Sequence, residues 1–132
     1  MSDDGVTETL QRFYVAYTAV DIGALDALMA PEIVLHVPGR HPFSGEHAGK
    51  DAVWAYFGKV VAISAGTGGF DVHTITSDGV DHGIALLTGT IRDFVRPTVH
   101  VWHVRDGQLT EFWEASLDQA KEDAFWNAAT TG

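Results

Sequence analysis

The sequence predicts an α+β domain in which helices cover one side of a strongly curved antiparallel sheet and enclose a cone. Two observations carry this. Apolar residues recur at helical spacing in three segments before residue 65 and in one after residue 118, whereas residues 70–117 largely alternate as strands do. These segments also fall in the order helix, helix, short strand, helix, then three or four long strands, an α+β arrangement. At 132 residues, with 45% apolar side chains, the chain reads as a single domain over 1–132, with its core in 6–126. That length is enough to bury about two-thirds of the unfolded surface.

The first helix spans residues 4–20 and carries Val6, Leu10, Phe13, Tyr14, Tyr17 and Val20, with Asp3 or Asp4 as its cap. Asp21 caps a second, short helix holding Ile22, Leu25, Leu28 and Met29, and Pro31 ends it. Ile33 to Val37 is a brief β-branched run, stopped by Pro38-Gly39 at the start of the turn-rich loop PGRHPFSGEHAG. A third helix follows Gly49-Lys50-Asp51, with Val53, Trp54, Phe57, Val60 and Val61 on its apolar side. Gly66-Thr67-Gly68-Gly69 breaks it. Strands follow over Phe70–Thr76 and Ile84–Ile91, joined through Asp78-Gly79, and a loop is expected around Arg96-Pro97. Thr98 to Leu117 forms a hairpin about Asp106-Gly107, a pair suited to the two φ > 0 positions of a type I′ turn. Asp118 caps a short C-terminal helix with Ala120, Ala124, Phe125 and Trp126.

Eighteen acidic residues against eight basic ones give a net charge of −10, which repels phosphate backbones and anionic headgroups. Nucleic acid and membrane surfaces are therefore excluded as expected partners, whereas neutral or cationic ligands are not penalised in the same way. The absence of cysteine excludes disulfides and thiolate chemistry. The N-terminal MSDDGVTETL has no basic, apolar signal region, so a cytoplasmic location is expected.

The hairpin concentrates the chemistry. With a tight turn, His100 faces Trp113 and Trp102 faces Glu111, all four on one face, and His100 and Glu111 become diagonal neighbours roughly 7–8 Å apart. An imidazole beside a carboxylate suits proton transfer at neutral pH, so His100 and Glu111 are the expected catalytic pair. Trp102 and Trp113 are either pocket walls or core. Tyr17, one turn after Phe13, either places its hydroxyl in the cavity or makes a structural hydrogen bond. His36, Arg40, His41 and His47 crowd the loop region after the first strand, but H-x4-H-x5-H fits no tight ligand motif. His100 and His103 fall on opposite strand faces. No metal site is expected, and Arg40 or His41 is placed at the rim of the cavity mouth. The other hairpin face, Val99, Val101, His103, Thr110, Phe112 and Glu114, is too apolar for full solvation, which predicts a homodimer through the outer sheet face.

Several segments, taken together, resemble the SnoaL-like, polyketide-cyclase-related branch of the nuclear-transport-factor-2-like superfamily. They are Phe13-Tyr14-x-x-Tyr17 with Asp21, Leu28-Met29-Ala30-Pro31-Glu32, His36-Val37-Pro38-Gly39-Arg40, Phe43-Ser44-Gly45, Gly49-Lys50-Asp51-Ala52-Val53, Arg105 to Trp113, and Asp118-Gln119 with Asp123 to Trp126. The resemblance implies the cone fold, with three N-terminal helices on the sheet. Against ketosteroid isomerase of the same superfamily, the oxyanion tyrosine falls on Phe13, the general-base aspartate on Val37 and the second oxyanion donor on His100. Phe and Val neither donate nor abstract a proton, so that isomerase mechanism is not expected. The mapping places Phe13, Val37 and His100 at the pocket, and Trp54 and Phe57 join its apolar wall. Some members of the branch use an acid near the end of the last strand. Glu114 follows Trp113 as that acid does, yet alternation turns it to the other face, and Asp118 reads as a cap.

The expected function is cofactor-free acid–base chemistry of cyclase, isomerase or hydrolase type on a mostly apolar cyclic or aromatic substrate. His100 would be the proton shuttle. The alternative is a non-catalytic module that binds a small hydrophobic ligand, or a dimeric accessory scaffold of the same fold.

Overall fold

A computed structural model describes residues 4–65 and 67–131. In chain order the elements are α1 (Asp4–Ala19), α2 (Ile22–Leu28), β1 (Met29–Val37), β2 (Gly45–Ala48) and α3 (Lys50–Ser64). They continue with β3 (Gly69–Ser77), β4 (His82–Ile91), β5 (Phe94–Arg105), β6 (Gln108–Ser116) and α4 (Gln119–Thr131). The six strands form one curved sheet in the order β2-β1-β6-β5-β4-β3. Every junction is antiparallel except β1–β6, which is parallel because β6 returns beside β1 after the rest of the sheet is laid down. None of the described helices is long and apolar enough to cross a membrane.

The helices form where apolar spacing and caps agree. Val6, Leu10, Phe13 and Tyr14 of α1 are buried against the sheet. Gly83 permits the close approach, since a Cβ there would lie 2.5 Å from Leu10 Cδ1. The Asp21 carboxylate caps α2 by accepting from the Ala24 N–H at 3.1 Å, and Asp118 caps α4 by accepting from the Lys121 N–H at 3.2 Å. Asp3 and the side chain of Asp4, the other capping candidates, lie outside the described residues. Three local expectations change. Met29 and Pro31, expected to close the second helix, lie in β1. Gly45–Ala48 leaves the predicted loop to pair with β1. The turn expected at Arg96-Pro97 occurs earlier, between Ile91 and Phe94, so Arg96 lies inside β5 and Pro97 pairs with Thr88.

The larger correction concerns the last hairpin. Asp106 and Gly107 take φ of 53° and 75°, the tight I′ turn expected, and Val104 duly pairs with Leu109. A β-bulge then intervenes, leaving Thr110 as the extra residue. His103 now faces Glu111, Trp102 faces Phe112, Val101 faces Trp113 and His100 faces Glu114. A one-residue shift reverses the face of everything beyond it. Glu111 and Trp113 therefore lie on the outer face and Phe112 and Glu114 on the inner one, opposite to the expectation. Thr110 holds the bulge, with its hydroxyl donating to the His103 carbonyl at 3.1 Å.

Candidate functional site

The concave face of the sheet meets α1 and α3 around His100. Inward positions of β5 alternate as Arg96, Thr98, His100 and Trp102, and all four are buried. Phe112 and Glu114 join them from β6, Phe13, Tyr14 and Tyr17 from α1, and Tyr56 and Phe57 from α3. His100 is 2% exposed, and its Nδ1 lies 2.7 Å from the Tyr14 hydroxyl. Trp102 Nε1–H donates to that same oxygen at 3.1 Å. Indole only donates, so Tyr14 Oη accepts from Trp102 and passes its own proton toward His100 Nδ1. The imidazole is thereby fixed with its hydrogen on Nε2. Burial, reinforced by the Arg96 charge, pushes the His100 pKa down to about 3, so the ring is neutral at physiological pH. Burial raises Tyr14 far above an ordinary phenol and keeps its proton in place. The edges of Phe70 and Phe112 flank the ring at centroid distances of 5.2 and 4.7 Å.

An ionic network lies beside this relay. Arg96 Nη2 reaches Glu114 at 2.8 Å and its Nε reaches Glu122 of α4 at 2.9 Å. Tyr56 donates to the other Glu114 oxygen at 2.8 Å, and Trp126 Nε1–H donates to Glu122 at 3.1 Å. The guanidinium also sits 5.5 Å from the centre of the Trp126 ring. Burial alone would lower the Arg96 pKa, but Glu114 and Glu122 outweigh it and keep the guanidinium charged. Tyr56 is driven up, first by burial and then by the Glu114 charge. One cation facing two carboxylates leaves the cluster formally anionic.

A cavity of about 340 Å³ opens between the end of α1, α3 and the start of β3, walled by Tyr17, Trp54, Phe57, Val60, Phe70 and Arg96. Tyr17, Phe57, Val60, Phe70 and Arg96 also border a narrow recess of about 20 Å³ that continues inward to His100, Phe112 and Glu114. The wide chamber is thus mostly apolar, and its polar groups converge at the inner end. Tyr17 lines both spaces, and burial raises its phenol.

The structure brings together His100, Phe13, Tyr17 and Phe57, with Trp54 in the outer chamber. It does not bring Glu111 or Trp113 to them. Glu111 accepts from His36 Nε2 on the outer face, and Trp113 stacks on His36 at 5.2 Å. Trp102 is core, packed between Phe112 at 4.0 Å and Phe13 at 4.7 Å, and its polar link to His100 runs through Tyr14. Val37 and His41 face a separate hollow of about 10 Å³ beyond Arg96, against Trp126. Arg40 is tied to α4 through its backbone, its N–H bonded to Asp123 at 3.0 Å and its carbonyl to Asn127 at 3.0 Å. That loop therefore braces α4 and does not rim the chamber.

Tyr14, Arg96, Tyr56 and Glu122 were not anticipated. One signal was present, because Arg96 shares its strand parity with His100. Glu114 was hidden by the bulge. His100 and His103 do fall on opposite faces, and among the described residues the one group arranged to hold a metal is Asp81, His82 and His103, outside this pocket.

Comparison with known proteins agrees with this architecture. An uncharacterized Mycobacterium tuberculosis protein, Rv0034, is 28% identical over 132 residues, covering 96% of this chain and 99% of its own. Among solved structures, Bal32a from a soil-derived mobile gene cassette superposes with a TM-score of 0.86 at 25% identity, over 93% of this chain and 97% of its own. A putative ketosteroid isomerase from Kribbella flavida shares the fold at a TM-score of 0.76 and 15% identity, over 89% and 82% of the two chains. The SnoaL-like domain model matches residues 10–112. With a helix-lined cone closed on His100 and that match over most of its length, the chain belongs to the SnoaL-like domain family.

Proposed function

We propose that the protein is a cofactor-free enzyme of isomerase or cyclase type, acting on a small, mostly apolar, cyclic or aromatic molecule held in the cone. The observation that carries this is the pairing of a neutral, orientation-locked His100 with the Glu114 carboxylate, its cross-strand partner, at the inner end of an apolar chamber. A neutral imidazole with a pKa near 3 is a poor proton shuttle at pH 7. It is a good hydrogen-bond donor to an oxygen that gains negative charge, and the dry walls strengthen that bond. In this reading His100 Nε2–H polarises a substrate carbonyl while Glu114 accepts the proton, taking the place first expected of Glu111. Arg96 and Tyr56 hold that carboxylate in position. The fold shared with a putative ketosteroid isomerase supports the reaction class.

A second reading, binding without turnover, is favoured by one observation. Both Glu114 oxygens are already engaged, by Tyr56 and by Arg96.

A thermal-shift screen against anthraquinones, steroids, terpene epoxides and aromatic acids tests the first step. A ligand at 100 times its Kd adds about 2.7 kcal/mol of stability. Hits are expected to weaken in Phe57→Ala and to persist in Trp113→Ala, which lies outside the pocket. Any hit is then assayed for turnover. Loss of turnover with retained binding in Glu114→Gln supports the enzyme, whereas binding without turnover in the wild type establishes the second reading. We further propose a homodimer through the outer sheet face, where Ile84 and Leu86 are exposed beside Val99, Val101 and Trp113.

A further inference from the structure

On the outer side of the sheet, away from the pocket, His82 at the start of β4 and His103 near the end of β5 are direct cross-strand partners, their rings 4.8 Å apart. Asp81 reaches both, with one carboxylate oxygen 2.8 Å from His82 Nδ1 and the other 3.1 Å from His103 Nε2. One ligand atom from each of the three residues lies within 4.8 Å of the others. We propose that Asp81, His82 and His103 bind a divalent transition-metal ion such as zinc, nickel or copper.

The backbone beneath these side chains is fixed. The Asp78 carboxylate accepts from the N–H groups of Val80, Asp81 and His82 at 2.8, 3.0 and 3.1 Å, and the Asp81 carbonyl accepts from the Val104 N–H at 2.8 Å. The decisive detail is the His103 ring. The Thr110 hydroxyl donates its single proton to the His103 carbonyl, so toward His103 Nδ1 it can only accept. Nδ1 therefore carries the hydrogen, and in the neutral ring the Nε2 lone pair points at the Asp81 carboxylate. A lone pair on Nε2 and a carboxylate oxygen 3.1 Å away are two ligand atoms that one cation can bridge. A histidine ligand whose second nitrogen donates to a neighbour is the usual arrangement around bound metals.

Tetrahedral ligands at about 2.0–2.2 Å from a metal stand roughly 3.3–3.6 Å apart, a span compatible with three ligand atoms that all lie within 4.8 Å of one another. The side chains, 41%, 46% and 23% exposed for Asp81, His82 and His103, have room to open. Two imidazoles with one carboxylate select borderline transition ions over magnesium or calcium. The charge of −10 and the nearby Asp78, 3.5 Å from His82 Nδ1, favour any divalent cation.

The test is calorimetric titration of EDTA-stripped protein with zinc chloride, with copper quenching of tryptophan fluorescence as a second readout, since the Trp113 ring lies 6.4 Å from His82. One equivalent of zinc is expected to bind and magnesium is not. Affinity is expected to fall by about tenfold or more in His82→Ala and His103→Ala, and by about tenfold in Thr110→Val, which removes the second-nitrogen partner. His73→Ala, an exposed histidine bonded to Thr88, is expected to bind as the wild type does. Circular dichroism of each variant in EDTA confirms that it folds. Absence of saturable one-site binding, or wild-type affinity in His82→Ala and His103→Ala, overturns the proposal.

Discussion

His100 takes its chemical character from its surroundings more than from its side-chain type. The unfolded chain titrates this histidine near 6.5, while burial holds the folded one at about 3. Between those values the unfolded state binds the extra proton, so stability is complete above about pH 6.5 and declines as pH falls toward 3. The slope from this one group is about 1.4 kcal/mol per pH unit. In His100→Gln, whose amide oxygen still accepts from Tyr14, urea denaturation between about pH 6 and pH 4 is expected to show a shallower loss than in the wild type. Equal slopes would mean that His100 charges freely in the folded protein. His100 was legible as a functional candidate because an imidazole shares a strand face with Trp102, and the family resemblance turned that face toward the pocket. Tyr14 was not, since an aromatic on an apolar helix face is indistinguishable in sequence from plain core.

At the scale of elements, Arg96 joins three of them. From β5 it holds Glu114 of β6 and Glu122 of α4, and α4 makes its buried polar contacts through that cluster and Trp126. Removing one partner from a buried ion network leaves uncompensated charge, typically at a cost of about 3–5 kcal/mol. Arg96→Met is accordingly expected to lose roughly that much in urea denaturation, and Arg96→Met with Glu122→Gln to recover part of it. A loss below about 1 kcal/mol would show the cluster to be solvated like a surface pair. The same scale explains the main misreading. Asp106-Gly107 dictates a local conformation, and the turn formed as expected. The bulge three residues later depends on Thr110 satisfying His103 across the ladder, a contact that strand alternation does not encode. One extra residue moved Glu111 and Trp113 to the outside and brought Glu114 in.

Over the whole molecule, the two sheet faces have separate tasks. The concave face holds the relay and the chamber. The convex face leaves Ile84 and Leu86 41% and 46% exposed beside Val99, Val101 and Trp113. If that face is the dimer contact, sedimentation velocity is expected to give a dimer for the wild type and a monomer for Leu86→Asp at nearly unchanged melting temperature; a wild-type monomer at micromolar concentration removes the contact. The fold class, the helix caps at Asp21 and Asp118 and the tight turn at Asp106-Gly107 were legible in the sequence, because each depends on local periodicity or on one residue's own backbone preference. The inward direction of His100 was implied by the family resemblance. Tertiary structure alone decided that Tyr14 orients His100, that Arg96 bridges two carboxylates, that Glu114 rather than Glu111 shares the pocket, and that Asp81 meets two histidines. Those pairings join residues far apart in the chain, and they depend on strand register and on how close α1 comes to the sheet, which no local pattern specifies.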